Sequence, residues 1–380
     1  MNMTEDKLNK IYRLFALCIP VKGYSRSMIV DINRHKIHYI PNSLYEIIKD
    51  NASKTLAQIV QKYGEESKPI LAEYFDFLES NELVFLLEPF ELKRFPKMPL
   101  QWDFPSVCAN AVLDIGEHST YNILQALQKL SDIQCFHVQI RIFKNMQDSA
   151  ELESLIEAVH KSSFRSVQIA MNHIGKTDEL YYSELVKRYQ KLTKIEIFNS
   201  LEDRMIQVDG LLNVAIFHQK QLQDKSQCGC VDVQYFSITM GHFTESQYFN
   251  TCLNRKISID ENGEIKNCSS MEKGFGNIAK SSLLKILQDS EFKTLWNIRK
   301  DDIEVCQDCE YRYICTDCRC FIKDPENIYS QPVKCTYNPY IAKWEKEQGY
   351  ITVENWKTQN PNWEKYAQRK PLIKKTKNAN

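Results

Sequence analysis

The chain has 380 residues, 43% of them hydrophobic, which is enough for two or three domains with cores of their own. Its 49 Lys and Arg balance 49 Asp and Glu, so no net field favours nucleic acid or an anionic membrane surface. The polar, acidic start Met1-Asn-Met-Thr-Glu-Asp has no basic region feeding an apolar stretch, and no apolar run reaches membrane length; a cytoplasmic protein with no membrane partner is expected.

In chain order, alternation in Met28-Ile-Val30-Asp-Ile32 and Ile37-His-Tyr39-Ile40, separated by Asn33-Arg34-His35, predicts a β-hairpin. Pro41-Asn-Ser43-Leu-Tyr-Glu46 has the Ser-x-x-Glu form of a capping box and predicts a helix through about Lys49. A second helix is predicted from about Thr55 to Tyr63, ending at Gly64. A third, from about Ser67 to Ser80, has Leu71, Tyr74, Phe75 and Leu78 at helical spacing, and Leu83–Leu87 reads as a closing strand. Hairpin, three helices and strand make a small winged-helix arrangement. Residues 1–100 carry 14 Lys and Arg against 13 Asp and Glu, a net of +1, too little for the phosphate contacts that dominate DNA affinity.

The linker Glu91-Leu-Lys-Arg-Phe-Pro96-Lys-Met-Pro99 marks a change of pattern. Apolar runs near Val107–Ile115, Cys135–Phe143, Val167–Met171, Ile195–Phe198 and Val214–His218 alternate with amphipathic stretches at Ile123–Leu130, Leu152–Val159 and Leu180–Tyr189. Strands about thirty residues apart with helices between them predict βα units and a parallel sheet, an α/β fold of about five strands and so an open sheet or partial barrel.

Eight of the thirteen cysteines fall between Cys252 and Cys335. Cys306-Gln-Asp-Cys309 and Cys315-Thr-Asp-Cys318 repeat a C-x2-C step, in which two thiolates from one turn reach one metal, and Cys320 follows. Soft thiolates suit zinc or iron–sulfur clusters. Cys252, Cys268 and Cys335 bring the total beyond four, and Asp260-Glu-Asn-Gly263 before Cys268 reads as a hairpin-type turn back to a second site. More thiolates than one tetrahedral metal can use imply two centres. An odd total of thirteen cysteines, most of them clustered, in a chain with no export signal points to metal chemistry before disulfides.

The order C-x15-C with Gly263 five residues before Cys268, then C-x2-C-x5-C and a last Cys335, resembles the SPASM domain of radical S-adenosylmethionine (radical SAM) peptide maturases. The resemblance implies two [4Fe–4S] clusters, with zinc as the alternative. Cys306, Cys309, Cys315 and Cys335 would hold one. Cys252, Cys268 and Cys318, or Cys320 in its place, would serve the other, with Cys228 of Cys228-Gly-Cys230 as the upstream ligand and Cys230 its rival. The βα region resembles the radical SAM partial (β/α) barrel, and the first hundred residues resemble the PqqD-like precursor-recognition domain, which captures a leader peptide by strand addition; Ile37, Tyr39 and Ile40 mark the candidate edge.

Radical SAM enzymes carry C-x3-C-x2-C after the first barrel strand. The matching loop here, Asp114-Ile-Gly116-Glu117-His118-Ser119-Thr120, has no cysteine, so cleavage of S-adenosylmethionine is not expected there; Glu117 and His118 read as polar loop residues before metal ligands. His242 and Glu245 read likewise as polar loop. The whole is similar to the grasp-with-spasm system SPASM domain maturases, also through Phe243-Thr-Glu-Ser246, Asn250-Thr-Cys252-Leu-Asn-Arg255 and Tyr313-Ile-Cys315. That family implies a precursor-recognition domain over 1–95, a degenerate barrel over 96–240, a SPASM domain over 241–345 and a tail over 346–380. Its implied partners are a short precursor peptide and an ATP-grasp ligase. A non-catalytic leader-peptide adaptor and, less favoured by the charge count, a zinc-stapled DNA-binding regulator are the alternatives. No nucleotide-binding loop or Ser nucleophile elbow is present, so nucleotide use belongs to a partner.

Overall fold

A computed structural model describes residues 5–363 except 147, 176, 177, 209 and 211. The C-terminal stretch Lys370-Pro-Leu-Ile-Lys-Lys-Thr-Lys, whose basic composition predicts disorder, lies outside the described residues.

The N-terminal unit begins with one helical turn, α1 (Glu5–Leu8), and β1 (Ile11–Leu14). The expected hairpin follows as β3 (Ser27–Asp31) and β4 (Lys36–Ile40), but β2 (Cys18–Val21) precedes it and pairs with β3, so β3 is the central strand of an antiparallel sheet ordered β2-β3-β4. Then come α2 (Asn42–Asp50), α3 (Leu56–Tyr63), α4 (Lys68–Ser80) and β5 (Val84–Leu87), which pairs back on β1. The capping box expected at Ser43 and Glu46 does not form. Pro41 stands at the N-cap of α2, Ser43 instead shares a 2.6 Å hydrogen bond with the Tyr74 hydroxyl, and Glu46 pairs with Lys22. A reciprocal box forms on α3, between Thr55 and Gln58, and Gly64 closes that helix at φ +91°, where a side chain would be strained. β3 is buried on both faces. Ile29 packs with Leu44, Ile59, Leu71 and Phe75 under the helices, while Met28 and Val30 pack against Phe243, Ile314 and Tyr337 of the cysteine-rich region. Side chains of this size each contribute about 1.5–3 kcal/mol when fully buried.

All five expected strands of the βα region form: β6 (Asn110–Ile115), β7 (His137–Ile142), β8 (Ser166–Asn172), β9 (Leu192–Phe198) and, after the unforeseen edge strand β10 (Arg204–Gln207), β11 (Val214–His218). Between them run α5 (Ile123–Asp132), α6 (Ser149–Lys161) and α7 (Glu179–Arg188), each started by a side-chain cap, from Asn122, Asp148 and Asp178. Alternate residues such as Leu113, Ile140, Ile169 and Ile195 pack with the helices in the main core. The other face carries Asp114, Arg141, Ala170 and Glu196 in register across four strands.

The cysteine-rich region continues this sheet. After α8 (Met240–Glu245), β12 (Lys256–Ile259) lies parallel to β6, and β13 (Ile265–Lys266) returns antiparallel through the turn at Gly263, φ +78°. The full order is β10-β11-β9-β8-β7-β6-β12-β13. α9 (Leu283–Gln288) packs on the main core, and α10 (Val353–Gln359) brings Trp356 flat against Tyr340, 4.5 Å between ring centroids, and edge-on to Tyr24 of the N-terminal unit. No described helix is long and apolar enough to cross a membrane.

Candidate metal centres

Most of the cysteines singled out above gather into two sets. Cys306, Cys309, Cys315 and Cys335 line one pocket with Lys300, Val231, Tyr311 and Trp344. Two short 3-10 turns, Cys306–Asp308 and Glu310–Tyr313, set the spacing: Cys309 N–H donates to Cys306 O at 3.0 Å, and Cys315 N–H to Tyr311 O at 3.0 Å. Burial pushes the Cys306 thiol up to about 12 and that of Cys315 to about 11, and holds Cys309 well above its usual value. Their neighbours in the set add to this: Cys335 raises all three, and Cys306 and Cys315 also raise Cys309.

The second set forms at the open end of the β12–β13 hairpin. The register pairs Ser258 with Lys266, so its continuation puts Cys268 opposite Lys256, four residues after Cys252. Cys228 and Cys318 are electrostatic neighbours of Cys252 and of Cys320. Burial raises Cys252 to about 12 against the opposing pull of Lys256. The neighbouring Cys320 holds the Cys268 thiol down, to about 6. Gly229, at φ +83°, admits the sulfur of Cys318: a β-carbon there would stand 2.9 Å from it. Cys318 and Cys320 therefore both border this set. On the upstream loop Cys228 and Cys230 are both exposed, and Cys228 is an electrostatic neighbour of these thiols.

The donor chemistry fits an iron–sulfur cluster in each set. In the first set, neighbouring thiols that raise one another's pKa cannot ionise together unless a positive centre joins them, and iron supplies that charge. A single zinc would draw four sulfurs to within about 3.8 Å of one another. Among the described residues no three Cys, His, Asp or Glu side chains close on one ion in that way.

Sequence reading passed over several side chains that surround these thiols. Lys300 Nζ lies 3.6 Å from Cys315 Sγ, and Lys256 Nζ lies 3.8 Å from Cys252 Sγ. Arg141 grips Asp114 through two 2.7 Å bonds and neighbours Cys228 and Cys268. The turn between β2 and β3 docks on the first set: Tyr24 N–H donates to Asp308 O at 2.8 Å, Arg312 reaches Lys22 O, and Arg26 Nε pairs with the fully buried Glu310 at 2.7 Å. No local pattern marks such residues, because their partners are up to 290 positions away in sequence.

The remaining expectations fare variously. His242 and Glu245 are not loop residues: both lie on α8, part-buried, with His242 lowered to about 4 and Glu245 raised to about 7, in each case chiefly by burial. Glu117 and His118 are exposed, and Glu117 accepts the Asn145 N–H. On β4, an edge strand, Ile40 is buried and Ile37 packs inward, whereas Tyr39 is 45% exposed, with its hydroxyl 2.5 Å from that of Tyr311 and its ring 3.7 Å under the Arg26 guanidinium.

Residues 251–310 match the family model SPASM, the iron–sulfur cluster-binding domain. The chain is similar at 12% identity to the crystal structure of SuiB from Streptococcus suis, over 86% of this chain and 98% of that one, with a TM-score of 0.33. For SuiB bound to S-adenosylmethionine the values are 12%, 85%, 97% and 0.34, and for SuiB bound to the precursor peptide SuiA they are 11%, 82%, 96% and 0.29. No curated protein matches the chain. The α/β chain thus carries a SPASM iron–sulfur domain, whose matched segment includes Cys252, Cys268, Cys306 and Cys309 and continues from the edge of the mainly parallel sheet.

Proposed function

We propose that this chain is a maturation factor for a ribosomally synthesised, post-translationally modified peptide, working beside an ATP-grasp ligase and carrying two [4Fe–4S] clusters. Cys306, Cys309, Cys315 and Cys335 hold one cluster; Cys228, Cys252, Cys268 and Cys318 hold the other. The observation that carries this reading is the gathering of the thiols into two sets within and around a matched SPASM segment. When bound, such clusters supply one-electron chemistry. The protein's own part is to wall the first cluster with Tyr311, Tyr337 and Trp344 and to hold the precursor. The N-terminal unit, winged-helix-like and similar to the PqqD fold, captures the leader by adding it to β4. β2 is the poorer edge because Pro20 lacks a donor N–H. With Ile37 and Ile40 turned inward, the leader is held at β4 through main-chain hydrogen bonds.

A second reading, a non-catalytic adaptor that presents the precursor to the ligase, is favoured by the loop after β6. It has no thiol for a third cluster, and the Glu261 carboxylate packs onto Gly116.

Iron and acid-labile sulfide, measured on protein purified without oxygen, test the cofactor assignment. About eight irons per chain support it, whereas one or two zincs without sulfide would remove the clusters and leave the adaptor. Hydrogen exchange with the precursor added tests capture. Slowed exchange over residues 36–40 supports strand addition, and unchanged exchange there rejects it.

A further inference from the structure

The four-thiol pocket contains a cation almost shut off from solvent. Lys300 is 5% exposed and lines the pocket beside all four thiols. Its carboxylate partner, Asp317, stands 3.5 Å away and is shared: Arg319 reaches the same oxygen at 2.9 Å, and Asn250 donates to the other at 2.5 Å. Two buried cations around one carboxylate leave a positive charge over, and a buried ammonium without a counter-ion is strongly disfavoured. In the second set the part-buried Lys256 stands beside Cys252, Nζ 3.8 Å from its sulfur.

We propose that Lys300 and Lys256 are charge-compensating positioning residues for the two clusters, each donating an N–H···S hydrogen bond to one ligand thiolate, Cys315 or Cys252, and thereby raising the reduction potential of its own cluster. This rests on the two-cluster reading above. A cluster held by four thiolates is anionic and gains a further negative charge on reduction, so a fixed ammonium at its sulfur favours the reduced form; net charge and hydrogen bonds to sulfur are the levers that set such potentials.

The test is a potentiometric titration of the complete, iron-loaded protein, following the electron paramagnetic resonance signal of each reduced cluster, in wild type, Lys300→Met, Lys300→Arg and Lys256→Met. With iron content retained, each methionine substitution lowers one midpoint and leaves the other in place. The expected shift is about tenfold in the oxidised-to-reduced equilibrium, or about 59 mV for one electron. Lys300→Arg restores most of it. Unchanged midpoints at full iron content overturn the proposal while leaving the clusters established; wild-type protein without iron or sulfide overturns the two-cluster reading itself. Should a methionine variant shed its cluster, wild-type protein labelled with 15N-lysine decides: a lysine nitrogen coupled to each reduced cluster supports the assignment, and absence of that coupling refutes it.

Discussion

Arg26→Met tests how the N-terminal unit is held on the cysteine-rich region. The guanidinium is 30% exposed and meets a fully buried Glu310 at 2.7 Å; it also donates to the Tyr311 hydroxyl at 3.0 Å. At an effective dielectric constant of about 20, a pair this close is worth about 4 kcal/mol. Some of that returns as water reaches the exposed side of the vacated site, and Tyr337 still donates to Glu310 at 2.5 Å, so the net loss is about 3 kcal/mol, at the low end for breaking a buried pair. Since 1.4 kcal/mol is a factor of ten, amides opened by undocking should exchange about 100-fold faster. Hydrogen-exchange mass spectrometry of peptides covering residues 20–30 and 306–315 reads this directly. Glu310→Gln added to Arg26→Met removes the stranded carboxylate while keeping an acceptor for Tyr337, so the double variant should exchange more slowly than Arg26→Met alone. A double variant as fast as the single, or a single with wild-type exchange, refutes the reasoning.

Gly229→Ala puts a β-carbon at 2.9 Å from Cys318 Sγ at a positive φ; the expected result is loss of about half the iron, from the second set, and full iron would count against Cys318 as a ligand. Cys309→Ala should lose iron and solubility together, because removing one buried thiolate unfolds its loop, whereas Cys230→Ser should keep its iron; normal yield and iron in the first variant would sink that assignment. Glu245, raised from 4.5 to about 7 mainly by burial, keeps a proton that the unfolded chain has already released. Its contribution to stability is therefore undiminished below about pH 4.5 and is lost as pH rises to about 7. Glu245→Gln should abolish a loss on the order of 2 kcal/mol between pH 5 and pH 8, reduced from the full shift because the side chain is part-exposed; equal pH dependence of unfolding in both proteins would rule this out.

What could be read from sequence was governed by the distance over which each signal acts. Period and spacing are local, so the β3–β4 hairpin, α3 with its Gly64 stop, and the five βα strands were legible to within a few residues. β2 escaped because Cys18-Ile-Pro20-Val is short and has no alternation, being buried on a face shared with another region. The Ser43 box failed for a related reason: a tertiary partner, Tyr74, took the hydroxyl that local geometry would have used. β12 and β13 were read as a turn between two cysteines, and their place beside β6 could not be inferred without the parallel register.

The thiols themselves were legible because C-x2-C is a spacing rule. Their environment was not, since a ligand's surroundings are assembled from distant segments. Lys300-Asp301-Asp302 looks in sequence like a solvated charge run, yet all three residues sit on one 3-10 turn where Lys300 faces Cys315, Asp301 binds Arg312, and Asp302 pairs with Arg299. The same holds for the expected peptide edge. Tyr39 shares a strand face with Ile37 and so reads as part of a hairpin face, but its hydroxyl is tied to Tyr311, between Cys309 and Cys315. Through Tyr39, Arg26 and Glu310, the strand proposed as the peptide edge and the wall of the first thiol pocket share hydrogen-bonded side chains, so a change in one alters the packing of the other.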